Sequence, residues 1–310
     1  MDILAFDIGG TQGRCCLARA DGTRGDVTTL QRGASSDGRE WLARLIAAGT
    51  ALVSKANSPI RVVAVSFGGP VDNAGKILSM HVKGWESINL AAELQKSFGA
   101  PVRVENDANA GAVGEFRFGA GRGFPSMAFF TVSTGIGGGV ILDGKLFRGA
   151  HGMAAEFGQF VLDDSPDAPQ YAAGKPGILE ALACGPAIAR EGKLALQKLG
   201  KPVPENFTAK TVFDAAQNSE AWAIAVRDTA VSHLARGVAT AICAFDLQRV
   251  VIGGGVSLAG DTLFVPLRAK VAHFLPHFLE GKCSVVTAAL GDYSALMGAV
   301  GIGADVLDSN

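Results

Sequence analysis

Two aspartates stand where an apolar run gives way to a turn, and both could serve phosphoryl chemistry. Asp7 follows the apolar residues 3–6 and precedes Gly9, Gly10 and Thr11. A carboxylate at a strand end can hold Mg²⁺ through water. The glycines let backbone N–H groups approach a phosphate with no Cβ in the way. Alone, this D-x-G-G-T pattern is equally a β-hairpin with a solvated Asp. Asp107 closes Glu105-Asn106-Asp107, after a strand-like run at 102–104 and before a helical stretch at 108–118. It could project into a cleft as a general base, or cap the helix. Phosphoryl transfer to a hydroxyl needs little more than such a base, a metal on the phosphates and correct positioning.

Two further glycine clusters could contribute. Residues 133–139, with Thr134, Gly135, Gly137 and Gly138, contain a G-x-G. A dinucleotide fingerprint requires a helix after the glycines, whereas residues 140–144 read as strand and turn. No G-x-x-x-x-G-K-[ST] phosphate loop occurs anywhere in the chain. Two strand-turn-strand glycine loops could instead clamp a polyphosphate between them. Gly253, Gly254 and Gly255 follow an apolar run, either as a turn needing positive φ or as bare backbone for a base or ribose. Gly68 and Gly69, before Pro70, offer a similar approach to a small ligand.

The elements that must position these residues form a repeat. Strand-like runs at 3–6 and 14–18 flank the first glycine turn, followed by a helical pattern at 37–56, a strand at 61–65, a helix at 90–98 and the strand at 102–104. The layout then recurs about 125 residues later, with strands at 126–132 and 140–142 around the second glycine turn. Helices near 180–199, 208–217 and 219–244 follow, then a strand at 249–252, a helix at 262–279, a strand at 284–287 and a helix at 293–304. Two related α/β lobes are expected, in close contact because no linker is rich in Pro, Ser or charge.

Composition narrows the partners. With 28 Lys+Arg against 29 Asp+Glu, the formal charge is −1, which argues against nucleic acid or an acidic membrane surface. Glycine is clustered and abundant, 41 of 310 residues, about twice the usual share. The five cysteines form no C-x-x-C pair, and no apolar run has the length of a membrane span. These features suit a protein of a reducing compartment, the cytoplasm.

Four motifs in this order resemble the ROK sugar kinases of the hexokinase–actin ATPase superfamily. They are Phe6 to Thr11, Glu105 to Ala110, Thr134 to Gly139 and Leu179 to Pro186. The resemblance spans nearly the whole chain. It implies an α/β, two-lobed actin-like ATPase (ribonuclease H-like) fold. The smaller lobe would hold residues 1–118 and the larger 119–292, with a C-terminal helix at about 293–310 returning to the first. It also implies ATP on the glycine loops (Asp7, Gly9, Gly10, Thr11, Thr134, Gly135, Gly137, Gly138, Gly254, Gly255), Mg²⁺ held by Asp7 through water, and a hexose between the lobes. Asp107 would be the base, with Gly69, His81, Asn106, Glu156, Gln159 and Glu180 on the sugar. A homodimer is implied as well.

The chain departs from the family pattern in two places. The family's E-x-G-H reads Glu156-Phe157-Gly158-Gln159. The three cysteines of the following C-x-C-G-x-x-G-C-L-E are Tyr171, Ala173 and Ile178. Zinc at such a site needs thiolates and imidazole, so no zinc is expected. His81 stands where family glucokinases carry a sugar-binding Asn. Glucose is the expected acceptor, with N-acetylmannosamine or another N-acetylated amino sugar as the alternative. A non-catalytic sugar-sensing regulator is more distant, since Asp7, Asp107 and both glycine loops are retained, and a DNA-binding repressor is disfavoured because Asp7 lies too near the start for a preceding domain.

Overall fold

The computed structural model describes residues 1–33, 37–56, 58–77, 83–172 and 174–309. In the first sheet, β1 (Ile3–Ile8), β2 (Gln12–Ala18) and β3 (Thr28–Gln31) form an antiparallel meander. Strands β4 (Val62–Phe67) and β5 (Val102–Asn106) lie parallel to β1, giving the order β3-β2-β1-β4-β5. Alternation along β1 feeds two cores. Leu4, Phe6 and Ile8 pack with Trp41 and Leu45 of α1 (Gly38–Val53) and with Leu90 and Leu94 of α2 (Leu90–Phe98). Ile3 and Ala5 point to the opposite face. Helix α1 begins at Asp37, whose side chain accepts the N–H groups of Arg39 and Glu40 as an N-cap.

The second sheet repeats the plan: β6 (Met127–Val132), β7 (Ile136–Leu142) and β8 (Lys145–Leu146) antiparallel, then β9 (Arg249–Gly253) and β10 (Ser284–Thr287) parallel to β6. The strand order is again three antiparallel strands followed by two parallel ones, as the repeated glycine turns suggested. Helix α3 (Asp107–Phe118) follows β5, and α9 (Ser294–Asp308) follows β10 at the equivalent place in the repeat. Between β8 and β10 lie α4 (Leu179–Ala183), α5 (Gly185–Lys198), α6 (Ala209–Gln217), α7 (Ala221–Phe245) and α8 (Asp261–Phe274).

The two equivalent helices are exchanged. Helix α3 packs on β6 and β7, and α9 packs on β1 and β4, where Leu296, Val300 and Ala304 cover Ile3, Ala5 and Ala64. Where the helices meet, their backbones touch. A Cβ on Gly298 would lie 1.7 Å from the Ala110 carbonyl oxygen, and one on Gly114 would lie 2.3 Å from that of Ser294. Gly298→Ala should therefore destabilise the fold by about 1–3 kcal/mol through overpacking. A thermal melt checks this; an unchanged midpoint would contradict so close a crossing.

Several boundaries differ from expectation for local reasons. The helix expected over 180–199 breaks at Cys184, which is extended, and a new helix starts with Pro186 in its first turn, where its missing N–H costs nothing. The helix expected over 262–279 stops at Phe274 because Pro276 disfavours helical backbone at Leu275. Strands β3 and β8 were not foreseen: one is a half-exposed four-residue edge, the other has only two residues. The second glycine turn is shorter than 133–139, since Gly137, Gly138 and Gly139 belong to β7.

Candidate active site

The parallel strands β1, β4 and β5 end side by side, so pairing alone brings the first site residues together. Asp7 is level with Ser66 and Glu105, and Ile8 with Phe67 and Asn106. Asn106, not Asp107, is the N-cap of α3: its side-chain oxygen accepts the N–H groups of Ala108 and Asn109 at 2.9 and 3.1 Å. Both amide hydrogens of Asn106 are also engaged, donating to the Gly69 carbonyl and to Asp107 Oδ1, each at 3.0 Å. Asn106 thus ties the Gly68-Gly69 turn to the aspartate.

Asp107 has one oxygen held and one available. Oδ1 accepts from Asn106 and from the Ala108 N–H at 2.9 Å. No hydrogen bond among the described residues reaches Oδ2, and a Cβ on Gly68 would come within 3.8 Å of it. Burial, and then the negative charge of Asp7, push the Asp107 carboxyl up to about 7. A base in that range suits proton removal near neutral pH.

Asp7 accepts a hydrogen bond from Ser66 Oγ at 3.0 Å, and its other oxygen lies 3.5 Å from Arg14 Nη1. Burial raises its pKa, while Ser66 and Arg14 oppose the shift. Arg14 also donates to the Asp292 carbonyl at 2.7 Å and lies over the Tyr293 ring. It therefore joins the first strand pair to the segment before α9. The first turn is Gly9-Gly10-Thr11, closed by a Gly9 N–H bond to the Gln12 carbonyl at 2.9 Å. Among the described residues no cluster of three or more His, Cys, Asp or Glu side chains could enclose a metal. Mg²⁺ with a nucleotide does not need one: it keeps several waters and takes one or two carboxylates plus phosphate oxygens. Asp7, an oxygen donor beside a glycine turn, fits that requirement.

The second glycine turn is residues 133–135, between β6 and β7. Thr134 is exposed and Gly135 partly so. Gly137 and Gly138 are covered instead: a Cβ on Gly137 would meet Ala108 at 3.1 Å, and one on Gly138 would meet Phe157 at 2.2 Å. Their lack of side chain seats α3 and Phe157 against β7. The turn is ringed by other bare backbone. Gly185 N–H donates to the Ser133 carbonyl at 2.8 Å. Gly254, with φ of 82°, crosses Val132 so closely that a Cβ would lie 2.5 Å from its carbonyl, and Gly255 faces Ser133. Positive φ at Gly254 is what the turn reading required.

Glu180 buttresses this turn. Its Oε2 accepts the Ile136 N–H at 2.8 Å, and a Cβ on Gly135 would lie 2.4 Å from the same oxygen. Glu156 precedes and Gln159 ends the 3₁₀ turn Phe157–Gln159, which packs on β7 and α4. Glu156 is pushed above the usual carboxylate range by burial and then by the Glu180 charge. Of the residues replacing the family cysteines, Ile178 is buried and Tyr171 packs against the large core. Ala173 and His81 lie outside the described residues. Trp85 is buried edge-on against Phe67, with ring centroids 5.2 Å apart. Ser66, Arg14 and Arg148 were missed by sequence reasoning, since strand pairing and loop packing bring them to Asp7 and Glu105; Glu105 lay inside a motif but was given no role.

Two repeated sheets with exchanged helices, and glycine turns at the ends of β1 and β6, define a two-lobed ATPase of the actin-like class. The chain belongs to the ROK family, whose profile matches residues 3–305. A glucokinase of Thermotoga maritima is 35% identical over 311 residues, covering 97% of each chain. An N-acetylmannosamine kinase of Pasteurella multocida is 29% identical, covering 99% of this chain and 98% of its own. Among solved structures, a ROK hexokinase from Thermus thermophilus superposes with a TM-score of 0.87 at 28% identity, all of both chains being covered. A Streptomyces griseus ROK glucokinase in complex with glucose and AMPPNP gives 0.80 at 28% identity, over 98% of this chain and 99% of that one.

Proposed function

We propose that this protein transfers the γ-phosphoryl group of ATP to a hexose hydroxyl, with glucose as the principal acceptor. One observation carries the reading: Asp107, raised to about 7, keeps one oxygen unbonded among the described residues beside the Asp7 glycine turn. The 35% identity to a glucokinase supports glucose as the acceptor. The relative that acts on N-acetylmannosamine keeps that sugar as the alternative.

In this reading Asp107 Oδ2 takes the proton of the attacking hydroxyl, and Asn106 keeps the carboxyl oriented through Oδ1. The N–H groups around Gly9 to Thr11 and around Thr134 and Gly135 approach the phosphates. Gly254 and Gly255 leave room for the nucleoside. Glu156, Gln159 and Gly69 line the sugar side. Glu180 holds the second turn and shares its remaining oxygen with the sugar. Asp7 would hold Mg²⁺ through water, where it would supply charge neutralisation on the transferring phosphate. Closure of the lobes excludes water from the reacting hydroxyl. Gln159 offers both a donor and an acceptor, as a neutral histidine does, so the sugar side needs no zinc. We place the enzyme in the cytoplasm as a homodimer. Among the described residues no helix is long and apolar enough to cross a membrane.

Coupled ADP-release kinetics over glucose, mannose, fructose, allose, glucosamine, N-acetylglucosamine and N-acetylmannosamine test the acceptor. Glucose should give the highest kcat/KM, by about tenfold or more, equivalent to about 1.4 kcal/mol of transition-state binding. A higher value for an N-acetylated sugar would assign the alternative.

A further inference from the structure

Residues 147–156 leave β8 of the second sheet, reach across to the first unit and return to the 3₁₀ turn that packs on β7. This loop is tied to the first unit beside the site. After β8, Arg148 Nε donates to Glu105 Oε2 at 2.6 Å. Glu105 ends the first sheet and is only 4% exposed. Its other oxygen accepts from the Asn106 N–H at 3.1 Å and from Asn109 Nδ2 at 3.0 Å. A buried carboxylate next to Asn106 and Asp107 is thus neutralised by a cation from the second unit. Among the described residues Asn109 Oδ1 is buried without a partner, and the Asn109 side chain is oriented through Glu105.

Past Arg148 the loop is fastened again. Asn73 Nδ2 donates to the Ala150 carbonyl at 2.9 Å. Gly152 lies so close to the first unit that a Cβ would sit 2.9 Å from both Asn73 N and Val71 O. The Ala154 N–H then returns to the Arg148 carbonyl at 3.1 Å, and Ala155, with φ of 65°, turns the chain into Glu156. Arg148 thereby ties Glu105, two residues before the base, to the loop that leads into Glu156.

We propose that the Arg148–Glu105 ion pair is the interlobe latch that positions Glu156 against the Asp107 turn, and so sets sugar affinity. The proposal rests on the hexose-kinase reading above. Opening the lobes would leave Glu105 buried and unpaired, which is costly. The Arg148 side chain is 36% exposed, so the pair can break and re-form without unfolding either unit. The latch favours the arrangement that binds sugar. It acts through Glu156 and Asn106 and does not touch the reacting atoms. The nucleotide, on the glycine turns, should not sense it.

The test uses Arg148→Met, which keeps an apolar stem, and Arg148→Lys, which keeps the charge. Arg148→Met should raise the glucose KM about tenfold with the ATP KM changed less than about twofold, one factor of ten being about 1.4 kcal/mol. Arg148→Lys should recover part of the loss. In the sugar-free proteins, amide exchange in 148–156 should be about tenfold faster in Arg148→Met than in wild type. Unchanged exchange overturns the latch whatever the kinetics. So does an equal rise in both KM values with a large fall in melting temperature, which indicates a structural role only. Exchange needs no substrate, so it decides the latch even if wild type phosphorylates no hexose; that outcome would remove the kinase reading alone.

Discussion

Asp107→Asn should lower kcat by about 10²–10⁴, the usual contribution of a positioned general base, with the fold and the ATP KM largely retained. The amide is close in shape to the carboxylate, and its oxygen can still accept from the Ala108 N–H. What it cannot do is take the hydroxyl proton. The pH dependence follows from the same group. With its carboxyl pushed up to about 7, Asp107 is protonated and inactive as a base below that value. Wild-type kcat/KM should fall about tenfold per unit as pH drops below 7 and level off above it. Burial and the Asp7 charge both raise this value, so anything that neutralises Asp7 moves the inflection lower. A flat profile between about pH 5 and 8, or near wild-type turnover in Asp107→Asn, would remove the proposed role.

The second large effect is on stability and involves no substrate contact. Glu115, on α3, is fully buried and accepts four hydrogen bonds: the N–H groups of Ala120, Ala289 and Leu290 and the hydroxyl of Ser294, at 2.8–3.0 Å. It fastens the end of α3 to the start of α9, the two exchanged helices. Glu115→Ala leaves the three N–H groups without an acceptor, at about 1–3 kcal/mol for each that water cannot reach, while Ser294 can still donate to the Gly291 carbonyl. A total loss of about 4 kcal/mol is expected, lowering the melting midpoint by about 6 °C. Glu115→Gln should lose less, since one oxygen remains. A midpoint within about 1 °C of wild type in Glu115→Ala would show that the junction is not carried by this carboxylate.

What was legible in the sequence depended on the range of the determining contact. The glycine turns, the duplicated strand plan and most helix cores follow from neighbours in the chain, and α2 and β10 have the expected limits. The role of Gly137 to Gly139 was not legible. Glycine at a strand start reads as a loop unless one knows that Ala108, Ala112 and Phe157 press on it from elsewhere. Whether Asp107 caps α3 or is free to act as a base was left open, because Asn106 and Asp107 are both good caps. Only the strand end, with Asn106 extended, assigns the task to Asn106 and leaves Asp107 its unbonded oxygen. Asp7, Asp107 and Glu180 stood out by motif. Ser66, Arg14 and Arg148 have no local signature and became visible only when strand pairing and the loop after β8 brought them to their partners, and the role of Glu105, though inside a motif, became visible only with Arg148. The exchange of α3 and α9 was half foreseen: the return of the last helix followed from the resemblance, while the packing of α3 on the second sheet did not.

The most direct measurement incubates the protein with Mg-ATP and glucose and quantifies ADP and hexose phosphate together, with Asp107→Asn in parallel. The account predicts equal amounts of the two products from wild type and loss of both in the variant. ADP formed without hexose phosphate, or equal product from the variant, would contradict it.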